Sequence, residues 1–149
     1  MTQTTNIKLN KVQLNALENA VIATYEQGER AGADEGAGFI CKYRGANNTK
    51  CLVGQMMADE DYKEEFDDGY IDLDLIVANG VIKNFGINEY ELLYTLQVCH
   101  DEAGRIDFKG DFLANLERAY DDNKLPFELG NVINKLREDY ERMWGIDNG

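Results

Sequence analysis

The sequence is poor in the residues that break, staple or ligate a chain. It has one proline, one histidine, one tryptophan and three cysteines in 149 residues. A single proline and no Ser/Pro/Gln-rich tract argue against extended disorder. One histidine excludes any site that needs two imidazoles. An odd number of cysteines suits reduced thiols better than a secreted disulfide framework, with a Cys41–Cys51 bridge as the alternative. No run reaches the roughly 18 to 20 apolar residues of a membrane span, and the start, MTQTTNIKLNK, has no apolar signal-peptide core. These absences predict a cytoplasmic protein. Walker loop, Gly-x-Gly-x-x-Gly turn, His-Glu-x-x-His pair and Gly-x-Ser-x-Gly elbow are all missing, so no cofactor is expected.

Positive charge is scarce as well. Against 28 Asp and Glu stand 15 Lys and Arg, a net charge of −13. The imbalance is uneven: residues 1–50 hold six cations and five acids, so the excess lies after Cys51. A field of this sign repels nucleic-acid phosphates and anionic membranes and favours a basic partner. Direct nucleic-acid binding and membrane association are therefore not expected.

What is present reads as one domain spanning 1–149, with residues 1–9 a flexible N-terminus. Asn10 and Gln13 make a capping box ahead of Leu14, Leu17, Val21, Ile22 and Tyr25, which predicts a helix ending at Gly28. The Gly- and Ala-rich stretch 28–38 is expected to be a mobile loop. Phe39–Arg44 and Thr49–Val53 suit a pleated surface around the turn Gly45-Ala46-Asn47-Asn48, which predicts a β-hairpin with Cys41 opposite Cys51. A helical turn beginning at Cys51 is the alternative. Further helices are predicted from about Asp59 to Phe66, from Leu75 to Phe85, after an Asn88–Glu91 capping box through Cys99 and His100, from Phe108 to Tyr120, and from Val132 to Trp144. The predicted class is α+β: mainly α-helical, with five or six helices and one β-hairpin.

Chemistry has few places to reside. Cys51 stands beside Lys50 and a possible helix start, both of which favour a thiolate; His100 is a candidate base and Asp101 its orienting carboxylate. Tyr43, Arg44 and Lys50 gather on the predicted hairpin as a candidate anion-binding set, with the alternative that its cations balance the protein's own acidic segment. That segment, residues 59–74, holds nine acids and one lysine. Asp59, Glu60, Asp61, Glu64, Glu65, Asp67 and Asp68 are the candidate partner-binding residues. An EF-hand fails on this segment: with Gly69 as sixth residue, Phe66 and Leu75 would occupy ligand positions. A looser calcium site from Asp67, Asp68, Asp72 and Asp74 competes with a solvated acidic face. Zinc would need Cys41, Cys51, Cys99 and His100 together, a spacing unlike known zinc sites, so no metal is expected.

The runs Cys41-Lys42-Tyr43-Arg44-Gly45, Lys50-Cys51-Leu52-Val53-Gly54 and Leu96-Gln97 with His100-Asp101 resemble a pattern of small uncharacterised phage and prophage proteins, C-x-Y-R-G, K-C-x-x-G and L-Q-x-x-H-D. The resemblance covers residues 38–120 and departs at Ala58-Asp59, where Pro-Asp is expected. It implies a phage setting in a bacterial host cell, no particular reaction, and one shared site for the hairpin and the His-Asp pair. The function expected on these grounds is binding: a counter-defence inhibitor or nucleic-acid mimic on a basic surface of a host protein. The alternative is a protein that binds, sequesters or hydrolyses a nucleotide or other anion at Arg44, Cys51 and His100. A structural role in the phage particle has no positive sign in the sequence.

Overall fold

The first helix starts where the capping box predicts. The computed structural model describes residues 8–34, 39–67 and 72–144. In α1 (Lys11–Gln27), Asn10 Oδ1 accepts the Gln13 N–H at 2.8 Å and Gln13 Oε1 accepts the Asn10 N–H at 3.0 Å. Such a cap is worth about 1 kcal/mol. Gly28 ends the helix at φ 74°, a left-handed position that costs glycine nothing. Leu17, Ala20, Val21 and Tyr25 are the buried stripe.

Five more helices follow: α2 (Leu52–Gln55), α3 (Leu73–Ala78), α4 (Tyr90–Asp101), α5 (Phe108–Asp121) and α6 (Gly130–Met143). α1 packs on α2, α5 and α6, and α4 packs on α2, α3 and α5. Leu92, Leu93 and Leu96 of α4 and Phe112, Leu113 and Leu116 of α5 are completely or almost completely buried in one core with Leu17 and Leu125. The result is an all-α domain. Among the described residues no helix is long and apolar enough to cross a membrane.

The predicted hairpin from Phe39 to Val53 is not formed. Arg44 and Lys50 make one isolated antiparallel bridge, and Thr49–Val53 does not continue it, because Cys51 caps α2 instead. The tight loop between them turns through two successive left-handed residues, Asn47 (φ 60°) and Asn48 (φ 63°). Cys41 lies opposite Gly32, not Cys51, in a three-residue pairing of Gly32–Asp34 (β1) with Phe39–Cys41 (β2), the only ladder among the described residues. Three residues a side do not make a sheet layer.

Three helix boundaries also differ from expectation. The segment predicted as a helix over 59–66 forms two 3-10 turns, Asp59–Asp61 and Glu64–Asp67, anchored by buried Phe66. α3 begins at Leu73 and stops at Ala78, well short of Phe85, since Gly80 and Asn84 both take positive φ. The predicted second capping box of Asn88 and Glu91 does not form; instead Glu89 Oε1 accepts the Gly86 N–H at 2.7 Å, and Gly86 has no side chain to return the bond. The predicted flexible start, in its residues 1–7, and the predicted mobile loop, in its residues 35–38, lie outside the described residues.

Candidate functional site

Two neighbouring groups of polar residues hold the irregular segment between α1 and α2 in place. The first is built on the last turn of α4. Gln97 and Asp101, four residues apart, face the same way, and Gln97 Nε2 donates to Asp101 Oδ1 at 2.8 Å. Gln97 Oε1 accepts the buried Val53 N–H at 2.9 Å, which fastens α2 to α4. His100, with no exposed surface, accepts the Ala31 N–H on Nε2 at 3.0 Å. This places the ring proton on Nδ1, where it is donated to Asp101 Oδ1 at 2.7 Å. The ring also meets Phe108 edge-on at 5.7 Å. From Ala31 to Val53 the hydrogen bonds form one continuous array.

Cys51 adjoins that array as a buried thiol. Its Sγ accepts the Gly54 N–H at 3.3 Å as the N-cap of α2. Burial pushes the thiol well up from its ordinary range, and the nearby charge of Asp101 adds to this. Hydrogen bonds from Gly54 and Gln97 pull the other way but do not prevail. A helix start and an adjacent lysine lower a thiol only where water or a cation solvates the thiolate, and Cys51 is 1% exposed. His100 cannot act as its base in this arrangement, since the Nε2 lone pair is already engaged by Ala31. The predicted trio Cys51, His100 and Asp101 is thus brought together around Gln97, with Cys51 and His100 buried and Asp101 partly exposed.

The second group surrounds Arg44. Nη1 donates to Asp59 Oδ1 at 2.8 Å and Nη2 to the Met57 carbonyl at 2.8 Å, while the guanidinium lies 5.0 Å from the Tyr62 ring centre. Lys50 Nζ stands 3.9 Å from the same Asp59 oxygen. Behind them, Asp67 accepts the main-chain N–H of Tyr43 at 2.7 Å and of Arg44 at 3.3 Å, together with the Tyr62 hydroxyl. Tyr43 is half-buried, and its hydroxyl is held well above the usual range by burial, with Cys51, Asp67 and Asp101 contributing. Arg44, Lys50, Asp59 and Tyr62 border a cleft of about 490 Å³.

The three motif runs acquire a structural meaning here. A Cβ on Gly45 would fall 2.1 Å from the Gly32 nitrogen, and one on Gly54 would fall 2.2 Å from the Tyr43 carbonyl oxygen. Both glycines therefore mark close backbone crossings, and Cys51 and Gln97 mark the capped start and the tie of α2. Arg44 and His100 share no hydrogen-bond partner, so the expected single site divides into a buried array and an open cleft. Of the acidic candidates, Glu60, Glu64 and Glu65 are exposed, Asp61 is half-buried, Asp59 pairs with Arg44, and Asp67 is committed to the main chain. Asp68 lies outside the described residues, as does the side chain of Cys41.

Sequence reasoning missed three contributors. Gln97 was legible as the i, i+4 partner of Asp101. Gln27 accepts the Lys50 N–H at 2.9 Å and donates to the Lys50 carbonyl at 3.0 Å, and Tyr62 positions Arg44; both meet their partners only in three dimensions. No family model, curated protein or solved structure matches this chain.

Proposed function

We propose that this chain acts by binding a basic surface of a host protein in a phage-infected bacterial cell, and that it performs no chemistry of its own. The observation that carries this reading is the opposite fate of its two sets of candidate residues. The reactive atoms of Cys51 and His100 are buried and hydrogen-bonded internally. The carboxylates of Glu60, Glu64 and Glu65 stand exposed on short turns whose backbone is pinned by Phe66 and Asp67. Exposed carboxylates can imitate nucleic-acid phosphates, and in a protein of charge −13 they steer a cationic partner from a distance. A nuclease or another defence component with a basic nucleic-acid groove has the complementary chemistry.

The test reverses Glu60, Glu64 and Glu65 to Lys, leaving Asp67 in place because it holds the main chain of Tyr43 and Arg44, and Asp59 because it pairs with Arg44. Immobilised wild type is expected to retain a defined basic protein from bacterial lysate and to release it between about 0.05 and 0.3 M salt, as the screening length falls from about 14 to 6 Å. The triple variant is expected to keep its helical circular dichroism and lose that retention. Equal retention by both, insensitive to salt, would place the interface elsewhere.

A further inference from the structure

The cleft beside Arg44 has properties that the acidic-surface reading does not use. Arg44 is fixed independently of Asp59: Nη2 is held by the Met57 carbonyl, the plane lies against Tyr62, and the main-chain N–H is held by Asp67. Its Nε is buried with no hydrogen-bond partner, so the guanidinium retains an unspent donor. Lys50 is brought beside it by the Arg44–Lys50 bridge and by Gln27, which clamps the Lys50 main chain on both its N–H and its carbonyl. Two cations are thus presented on a preorganised backbone, at the two ends of one five-residue loop.

Among the described residues of the cleft wall, one carboxylate answers them. Asp59 Oδ1 is within hydrogen-bond distance of Arg44 at 2.8 Å but 3.9 Å from Lys50, and its side chain is 82% exposed. A monoanion in this position hydrogen-bonds the arginine and reaches the lysine only as a longer ion pair. Exposed ion pairs of this kind are weak, and a carboxylate on a surface turn swings into water at little cost.

We infer that the Arg44–Lys50 cleft is a binding site for a phosphate monoester, and that Asp59 is its built-in competitor, occupying the position where the phosphate oxygens belong. A dianion with three oxygens can hydrogen-bond the guanidinium fork and the ammonium at once, whereas Asp59 stands 3.9 Å from Lys50. The cleft, at about 490 Å³, accommodates the phosphate and a small ester group. The site goes beyond the acidic-surface reading and stands or falls separately from it.

The experiment titrates the full chain with phenyl phosphate at pH 7.5 and constant ionic strength, followed by calorimetry and by amide chemical shifts. Wild type is expected to bind in the millimolar range with shifts centred on Gly45, Thr49 and Lys50. Asp59→Asn is expected to tighten binding at least tenfold, and adding Lys50→Gln to that variant is expected to reverse the gain. Asp59 is exposed and Lys50 partly so, which keeps both variants folded; unchanged amide spectra away from the loop check this. Equal affinity in wild type and Asp59→Asn, shifts centred elsewhere, or acetate binding as tightly as phenyl phosphate would each overturn the assignment.

Discussion

Gln97→Glu isolates the buried array in a single atom change. With its proton on, the introduced carboxyl reproduces the amide: it accepts the Val53 N–H and donates to Asp101 Oδ1, which now lies 2.8 Å from Gln97 Nε2. Once ionised, it puts two carboxylates about 3 Å apart, a repulsion of roughly 5 kcal/mol at an effective dielectric of 20. The Asp101 side chain is 37% exposed, and water screens part of this, so about 2 to 3 kcal/mol is the expected loss. The fold avoids the full repulsion by retaining a proton that the unfolded chain releases near pH 4.3. Stability is therefore near wild type below about pH 4. It falls by about 1.4 kcal/mol per pH unit as pH rises toward the raised folded value, and is level beyond it. Gln97→Leu is the control, since it leaves the Val53 N–H without an acceptor at a pH-independent cost of about 1 to 2 kcal/mol. Urea unfolding followed by circular dichroism at pH 4.5 and 7.5 measures both. A difference between Gln97→Glu and wild type that is the same at the two pH values would refute the reasoning, because Gln97 would then not touch Asp101 in solution.

Three further outcomes follow from burial and close approach. Cys51 and Cys99 are expected to resist maleimide in the native protein and to react at the rate of unfolding; immediate labelling of either would contradict their burial. Burial pushes the Cys99 thiol up to about 12, so the stability it contributes is intact below about pH 9 and is lost as pH rises toward 12, and Cys99→Ala should flatten that limb of the pH–stability curve. Gly54→Ala should cost about 2 to 3 kcal/mol despite the roughly 1 kcal/mol gain in helix propensity, because the new Cβ meets the Tyr43 carbonyl at 2.2 Å, and a rise in Tm would show that the backbone yields there.

How much of the fold was legible depended on where the information lay. α1, α5 and α6 carry their apolar residues at helical spacing, and α1 has local stop and start signals as well, so each was readable from its own residues. α3 misled because Leu75, Val77, Val81, Ile82 and Phe85 keep a helical period through a break that Gly80 and Asn84 impose by positive φ. The hairpin misled for a different reason. Phe39–Arg44 and Thr49–Val53 have strand-like composition, but a strand needs a partner, and the second segment is diverted when the Cys51 thiol caps the Gly54 N–H. Strand and helix start both fit the residues at Cys51, and local propensity alone does not choose between them.

The site was legible as a gathering of Cys51, His100 and Asp101, and the hydrogen bonds that engage them join distant parts of the chain. Between Gly28 and Lys50 the buried side chains among those described are Ala31 and Thr49. Polar groups there replace water's hydrogen bonds one for one. His100 takes the Ala31 N–H, Gln97 the Val53 N–H, Asp67 those of Tyr43 and Arg44, and Gln27 that of Lys50. Cysteine, histidine and aspartate in a sparse sequence look alike whether they serve turnover or closure; what separates the two roles is whether the reactive atom is already committed, and here each is. The proposed phosphate would join the same closure, since Arg44 and Lys50 are the two ends of the loop that these bonds fasten. A ligand bridging them stabilises the segment by mass action, in proportion to its concentration over its Kd. Phenyl phosphate should therefore slow amide exchange at Gly45 and Thr49 more than in α6, which shares no residue with the loop.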